Sequence, residues 1–368
     1  MALEPAELPR PATSGDGSCT TAPDVAVVIV SYRSAALTVT CLRSVERERA
    51  ASKLRIVAVV VDNDSGDFAE INHAVNENQW SSWVSVVAAP RNGGFAYGNN
   101  LGIRLVYTAC RPRYIHLLNP DTQVASDGIG CLVEFLDSRP EVGIAGSGLD
   151  NADGTPWNVA FRFPGMLSEV EAALQVGLLS RLLKRWVVPR QMGSQAAQVD
   201  WICGASMMIR PSVLSDVGGM DENFFLYFEE TDFCRRAAAA GFSTWYVPTS
   251  RVMHIRGQST NVTSDEATLR RLPGYWFESR RRYFAMSFGV RRAMLIDVVA
   301  LSARALGVAK QIMTFRKERC VPYYIRDLMK YSVLRKSNRD FPTARLLSLR
   351  NSGQVLTTNG ADLGAHKP

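Results

Sequence analysis

The stretch VAVVIVSY, from Val25 to Tyr32, is a continuous run of mostly β-branched apolar residues. Such a run is typical of a strand that is covered on both faces. A helical pattern follows over residues 37–49, and a second apolar run, LRIVAVVVDN, ends in Asp62 and Asn63. Strand, helix and strand in this order predict a βαβ unit, and with it an α/β fold whose central sheet is mostly parallel.

Polar side chains stand where the predicted strands end. Further strands are predicted at residues 84–88, in YIHLLNPD at 114–121 and in STWYVP at 243–248. Because ligands of open parallel sheets bind beyond the carboxyl ends of the strands, the polar ends favour a binding site there. The alternative is that Asp and Asn only terminate strands and cap helices. The residues at these ends are Tyr32, Asp62, Asn63 and Asp121.

The chain has 368 residues, enough for one large α/β domain with or without an appendage. Its seven cysteines have no Cys-x-x-Cys spacing, which argues against a disulfide framework or a zinc site and favours a reducing, cytoplasmic compartment. Residues 1–23 lack the basic start and apolar segment of a signal peptide, and we interpret them as a disordered leader. Residues 351–368 are interpreted as a disordered tail.

Known nucleotide-binding loops are not recognisable in the sequence. It contains no Gly-x-x-x-x-Gly-Lys-Ser/Thr motif, so a P-loop NTPase is excluded. The segment RNGGFAYGNNLG, at residues 91–102, lacks the Gly-x-Gly-x-x-Gly spacing of a dinucleotide-binding loop. Its glycines are expected to let the backbone turn sharply or approach a ligand, with a helix over residues 98–110.

The positive charge is concentrated near the C-terminus. Residues 270–350 carry 19 Lys and Arg against 5 Asp and Glu, whereas residues 1–269 carry 22 against 29. Residues 271–350 are predicted to be a basic amphipathic helical region, without an apolar run long enough to span a bilayer. This region either lies on an anionic membrane surface or packs on the preceding α/β domain or in a homodimer. No motif favours nucleic acid as a partner.

Seven segments in register resemble the family 2 glycosyltransferases of GT-A fold, and most closely their bacterial rhamnosyltransferase-like branch. The resemblance covers residues 24–290 and implies that residues 24–270 form the GT-A domain. The segments are VVIVSYRS, VVVDNDSGD, RNGGFAYGNNLGI, LLNPDT, WICGASMMIR, GGMDENFFLYFEETDFCRRAAAAGF and VMHIRGQST.

The activity implied by this resemblance is inverting hexosyl transfer in cell-envelope or extracellular polysaccharide biosynthesis. The donor is a nucleotide sugar, with deoxythymidine-diphosphate-rhamnose favoured and a uridine-diphosphate sugar next. The acceptor is a glycan or a lipid-linked glycan, which places the enzyme in the cytoplasm or at the inner face of the membrane. A non-catalytic carbohydrate-binding relative and a nucleotidyltransferase are the alternatives. Retention of the acidic residues argues against the first, and the absence of a basic triphosphate loop argues against the second.

A divalent cation, Mg²⁺ or Mn²⁺, is implied as cofactor, because the departing pyrophosphate needs its charge neutralised. In this sequence Asp121 of the NPD element matches the metal ligand, and Asn119 is a neutral neighbour. His254 matches the second protein ligand, a task suited to a neutral imidazole. The residues that match the nucleotide-sugar pocket are Ser31, Tyr32, Arg33, Asp62, Asn63, Asn92, Gly94, Phe95, Asn100, Asn119 and Asp121. The branch commonly has Asn where Arg33 stands.

The acidic cluster in FLYFEETDFCRR, residues 225–236, matches the element that carries the catalytic base. Glu230 occupies the base position, where Asp is more common, and Glu229 is the second candidate. A positioned carboxylate can take the proton of an attacking sugar hydroxyl. Asp232 is expected to cap the following helix. On the acceptor side the resemblance points to Trp201 and Gly204, although Trp201 fits a buried strand aromatic equally well.

Overall fold

The protein is described by a computed structural model. The described residues are 22–174, 181–255, 271–314 and 321–349. The predicted leader, except for its last two residues, and the predicted tail lie outside these ranges, as do residues 256–260 of the VMHIRGQST segment.

The first half of the chain forms the predicted parallel sheet. Strands β1 to β4 pair in the order β4-β1-β2-β3, all of them parallel. The predicted strand at 84–88 is confirmed residue for residue, and the helices extend a few residues beyond their predicted bounds. The elements are β1 (Val25–Ser31), α1 (Ala35–Ala51), β2 (Ile56–Asp62), α2 (Phe68–Glu77), β3 (Val84–Ala88), α3 (Gly94–Cys110) and β4 (Tyr114–Leu118).

The second half makes the sheet mixed rather than mostly parallel. Strand β12 (Ser206–Ile209) lies between β4 and β6 (Val142–Asp150) and runs antiparallel to both. Beyond β6 lies β13 (Ser243–His254), parallel to β6. Every residue of β12 is buried. Its mostly apolar sequence therefore indicates a strand that is covered on both faces, but it does not indicate the direction in which the strand runs.

Smaller elements complete the domain. The short strands β8, β9 and β11 form a separate three-stranded sheet. The remaining elements up to β13 are β5 (Thr122–Val124), α4 (Gly128–Asp137), β7 (Pro156–Trp157), β8 (Ala160–Phe161), α5 (Met166–Leu174), β9 (Pro189–Arg190), β10 (Ala197–Val199), β11 (Trp201–Ile202), α6 (Pro211–Val217) and α7 (Glu229–Ala239).

The strand order creates a crevice at the carboxyl ends of β1 and β4. From β1 the chain proceeds outward through β2 and β3, and then returns to add β4 on the other side of β1. Ligands of α/β sheets bind at such a reversal. Helix α3 approaches β1 closely here, because an added Cβ at Gly98 or Gly102 would come within 2.6 Å of Val30 or 2.5 Å of Val28. These two glycines therefore serve helix–sheet packing.

The C-terminal helices pack on this domain. They are α8 (Gly274–Phe288), α9 (Val290–Thr314) and α10 (Tyr324–Tyr331). Helix α9 crosses α5 so closely that a Cβ at Gly307 would lie 2.6 Å from the carbonyl oxygen of Ala173. Buried Arg280 forms ion pairs with Glu169 of α5 and Asp297 of α9. Packing on the domain, one of the two predicted arrangements, is therefore observed, and no helix in the described ranges is long and apolar enough to cross a membrane.

Candidate active site

The polar ends of β1 and β2 lie side by side at the crevice, with Ser31 paired in register with Asp62. Asp62 is buried and accepts three hydrogen bonds, from the backbone and hydroxyl groups of Ser65 and from the backbone N–H of Phe68. Asp62 thus shapes the loop that leads into α2. The next residue, Asn63, faces the crevice itself.

The crevice holds a cavity of about 340 Å³. This volume is at the lower end of the range typical of small-molecule sites, roughly 300–1,000 Å³. Six of the predicted pocket residues line it, namely Tyr32, Asn63, Asn92, Gly94, Phe95 and Asn119. Sequence reasoning missed Val30, Pro120, Phe225, Leu226 and Tyr275.

A glycine allows the two walls of the cavity to meet. Gly94 has φ +84°, and a Cβ there would lie 1.9 Å from the carbonyl oxygen of Phe225. The same oxygen accepts a 2.9 Å hydrogen bond from the backbone N–H of Phe95. The side-chain amide of Asn63 donates to the Gly94 carbonyl and to Asn92 Oδ1, both at 3.1 Å. The Gly94 turn therefore ties the end of β2 to the segment that carries Phe225.

Five of the predicted pocket residues are not among those that line the cavity, namely Ser31, Arg33, Asp62, Asn100 and Asp121. Asn100 is fully buried. Its side-chain N–H groups donate to the Met220 carbonyl and to Glu222, and its side-chain oxygen accepts from the Met220 backbone N–H. Asn100 therefore holds the Met220 loop in place rather than facing a ligand. Ser31 bonds to the hydroxyls of Ser34 and Thr38 inside the β1–α1 connection. The guanidinium of Arg33 lies over the ring of Tyr32 at 5.3 Å.

The two predicted metal ligands come together. A carboxylate oxygen of Asp121, in the turn after β4, lies 3.3 Å from Nε2 of His254 at the end of β13. Both side chains are buried, and the backbone N–H of Ile255 donates to the Asp121 carbonyl. The ring of Trp157, in β7, lies 4.8 Å from the His254 ring and covers it. Sequence reasoning gave Trp157 no role.

Asp121 and His254 could supply two of the ligands in the coordination shell of a cation. In the described part of the chain no group of three or more His, Cys, Asp or Glu side chains could hold a metal ion. One carboxylate and one imidazole suit a Mg²⁺- or Mn²⁺-type ion that takes its other ligands from substrate phosphates and water.

The acidic cluster opens helix α7, which begins at Glu229, earlier than the sequence indicated. The two residues before it, Tyr227 and Phe228, both have left-handed backbone conformations, with φ +71° and +69°. Such conformations cost free energy in non-glycine residues and cluster at functional sites. Asp232 makes ion pairs with Arg235 and Arg236 instead of the expected capping hydrogen bond.

The two glutamates differ in accessibility. Glu229 is only 2% exposed, whereas Glu230 is half-buried. Burial raises the pKa of Glu230 to about 7, even though backbone N–H groups, including that of Gly204, favour its charged form. Burial and the neighbouring Glu230 charge raise the pKa of Glu229 well above its ordinary value. A carboxyl that titrates near neutral pH therefore stands beside one on a more deeply buried residue.

Asp121 and the glutamate pair all act on one cysteine, Cys203. Burial raises the pKa of the Cys203 thiol to about 12, and the charges of Glu230, Asp121 and Glu229 contribute to that shift. Because the interaction between charges weakens with distance, these carboxylates lie near the thiol. Carboxylates from two separate chain segments, Asp121 and the Glu229–Glu230 pair, therefore lie in the neighbourhood of Cys203.

The predicted acceptor residues lie next to this cluster. Gly204 leaves room for Phe95, whose ring would be 3.0 Å from an added Cβ. Trp201 stacks on Phe161 at 4.2 Å, and its indole N–H donates to the carbonyl of Arg162. One face of Trp201 is therefore already covered, and its role toward an acceptor stays a prediction.

Comparison with known proteins gives a consistent picture. Residues 23–272 match the family model described as "Glycosyltransferase like family 2". The chain is 28% identical over 150 residues to the N-acetylglucosaminyl-diphospho-decaprenol L-rhamnosyltransferase of Mycobacterium tuberculosis, covering 40% of this chain and 48% of that protein. It is 29% identical over 168 residues to rhamnosyltransferase WbbL of Escherichia coli, covering 44% and 60%. The chain thus spans about half the length of these relatives.

A solved structure supports the fold. The mannosyltransferase of Pyrobaculum calidifontis, in complex with GDP-Man and Mn²⁺, superposes with a TM-score of 0.50 at 14% identity, covering 81% of this chain and 77% of that one. The GT-A fold expected from the sequence is confirmed. Because the family model spans most of the chain, this protein belongs to the family 2-like glycosyltransferases.

Proposed function

We propose that this protein is an inverting, metal-dependent glycosyltransferase that moves a hexosyl group from a nucleotide sugar to a glycan acceptor. The observation that carries the proposal is the approach of Asp121 and His254 to 3.3 Å, directly after Asn119 and Pro120, which line the crevice. Such a site can hold a charged leaving group and an attacking hydroxyl at once.

Asp121 and His254 would hold the divalent cation, which neutralises the charge of the departing diphosphate when bound. The nucleoside would occupy the cavity between Tyr32 and Phe225, at the carboxyl ends of the parallel strands. The half-buried indole of Trp157 would keep the His254 ring in place and exclude water from one side of the pair.

Glu230 is the base in this proposal. Its side chain is less deeply buried than that of Glu229, and its pKa of about 7 suits proton abstraction near neutral pH. As the hydroxyl oxygen attacks the anomeric carbon from the side opposite the diphosphate, its proton passes to the Glu230 carboxylate. Glu229 is too deeply buried for that task and would help to fix the first turn of α7.

Deoxythymidine-diphosphate-rhamnose is the proposed donor, with a uridine-diphosphate sugar as the second candidate. Two of the relatives are rhamnosyltransferases by name, and the mycobacterial one acts on a diphospho-decaprenol glycan. A glycan or a lipid-linked glycan in cell-envelope or extracellular polysaccharide synthesis is therefore proposed as acceptor.

We also propose peripheral contact with the inner, anionic face of a membrane. Helix α9 buries one face on the domain, and its opposite face carries exposed Leu295, Val298 and Leu306. Exposed Arg291 and Arg292 lie at the start of the same helix. An apolar face next to cations matches a surface that lies on anionic lipid.

A donor screen tests the enzymatic proposal. Nucleotide sugars are incubated with the protein, with and without Mn²⁺ or Mg²⁺, and released nucleoside diphosphate is measured. We expect metal-dependent release that is fastest with deoxythymidine-diphosphate-rhamnose. Glycan binding without release from any donor would instead favour a non-catalytic carbohydrate-binding protein.

A further inference from the structure

One wall of the cavity comes from outside the segment that matches the family. Tyr275, in the first turn of α8, lines the cavity together with Phe225 and Leu226, whereas the family model ends at residue 272. The C-terminal helical region therefore contributes a side chain to the crevice.

The rings on this wall form a small aromatic platform. The Tyr275 ring lies 5.5 Å from that of Phe225 and 6.2 Å from that of Tyr227, and the two tyrosine planes differ by only 16°. Phe225 remains 40% exposed although it belongs to an apolar segment. An exposed aromatic ring inside a cavity offers a flat apolar surface to a planar ligand.

Helix α8, which carries Tyr275, is anchored to the segment that carries Phe225. Ser279 of α8 donates to the carbonyl of Leu226 at 3.0 Å, and buried Arg282 bonds to Asp221 at 2.8 Å. The carboxylate of Asp221 also accepts the backbone N–H of Arg345, at 3.0 Å. Helix α8, the C-terminal segment and the residues before α7 are thus linked by polar contacts, which hold the aromatic platform in place before a ligand binds.

We propose that Tyr275 forms part of the donor site, as the ring on which the nucleotide base stacks. This inference rests on the proposed function. The position favours the base over the sugar or the acceptor, because Tyr275 lines the same cavity as Tyr32 and Asn63, at the ends of β1 and β2. Stacking reads only the flat face of a base, so Tyr275 would add affinity for the nucleotide while discriminating little between pyrimidines.

Isothermal titration calorimetry in Mn²⁺ with deoxythymidine diphosphate, uridine diphosphate and pyrophosphate tests this. Tyr275→Ala should weaken binding of both nucleotides by about 5- to 150-fold, the range expected for loss of one base–aromatic stack. Pyrophosphate binding should be unchanged, because pyrophosphate has no base. Tyr275→Phe should bind like the wild type, since the ring face is retained.

Tyr323→Ala is the matched control, because Tyr323 belongs to the same helical region and is 61% exposed outside the cavity. Wild-type affinity for nucleotides in Tyr275→Ala would overturn the inference. Equal loss of nucleotide and pyrophosphate binding would overturn it as well, since it would indicate a general distortion of the site. If the wild-type protein binds no nucleoside diphosphate, the proposed function itself fails.

Discussion

A carboxylate oxygen of Asp121 and Nε2 of His254 lie 3.3 Å apart, at the ends of two strands that do not pair with each other. The short strand β5 follows Asp121 directly and pairs antiparallel with the end of β13, which brings His254 opposite Thr122. The sheet itself therefore fixes the separation of the two side chains, and no flexible loop has to close for them to meet.

Metal-dependent donor binding should require both members of this pair. Asp121→Asn and His254→Ala should each lower the affinity for a nucleoside diphosphate in Mn²⁺ by at least about tenfold, because even residues beside a metal ligand typically contribute that much. Affinity without metal should be the same as in the wild type. Calorimetric titration with and without Mn²⁺ measures both quantities.

The control for this titration is His73→Ala, which removes an exposed histidine from α2. It should keep the full effect of Mn²⁺. If His254→Ala responded to Mn²⁺ as strongly as this control does, His254 would not be a metal ligand.

The Gly94 turn should tolerate no side chain. Gly94→Ala introduces both a strained backbone and an overlap with the Phe225 carbonyl, whereas Gly66→Ala introduces the same strain, at φ +87°, with no atom within 4 Å. We expect Gly66→Ala to lower the free energy of unfolding by about 1–3 kcal/mol. Gly94→Ala should lower it further and abolish nucleotide binding. Urea unfolding of both variants separates strain from overlap, and equal losses would show that the close approach to Phe225 does not matter.

The acidic pair should make stability depend on pH. The pKa of Glu230 is raised to about 7, so between its ordinary value of 4.5 and 7 the folded protein keeps a proton that the unfolded chain releases. The free energy of unfolding therefore falls as pH rises through this window. Glu230→Gln should remove that loss and be more stable than the wild type at pH 8, but not at pH 4.

Urea unfolding across this pH range measures the effect. Glu77→Gln, at an exposed position of α2, should show no such gain. A Glu230→Gln variant that is less stable than the wild type at pH 8 would mean that the buried charge is stabilised by the fold.

Contact with a membrane should depend on the exposed face of α9. Leu295→Ser combined with Leu306→Ser should reduce sedimentation with anionic liposomes, because both side chains are exposed and make no part of the buried core. Binding of the wild type should weaken as salt screens the arginines at the helix start. Ala300→Ser, on the buried face, serves as the control for folding. Equal sedimentation of the double variant and the wild type would exclude this face as the membrane surface.

The sequence predicted best those features that depend on local pattern. The β-branched runs at β1 and β2 required buried strands, and the polar residues after them marked the ligand-binding edge. The metal pair was assigned from the resemblance, and the structure brings its two members within reach of one ion. The residue types and the positions of the strand ends were enough to predict these features.

The features that the sequence did not predict depend on long-range packing. Nothing local distinguishes Asn63, which faces the cavity, from Asn100, which anchors the backbone of Met220. Tyr275 stands in a basic helical segment whose composition suggested a membrane surface, yet its ring reaches the cavity. The direction of β12 could not be predicted either, because a fully buried strand has the same apolar pattern whether it runs parallel or antiparallel to its neighbours.

The assignment of Glu230 as the base is tested most directly by the rate of sugar transfer in the Glu230→Gln and Glu229→Gln variants at saturating donor. Glutamine keeps the shape of the side chain but cannot accept a proton, so Glu230→Gln should reduce turnover by roughly 10²- to 10⁴-fold while donor affinity persists. Wild-type turnover should rise with pH through about 7 as Glu230 loses its proton. Glu229→Gln should keep most of the activity and mainly raise the apparent KM for the acceptor. Full activity in Glu230→Gln, or a dead Glu229→Gln beside it, would contradict the assignment of Glu230 as the base.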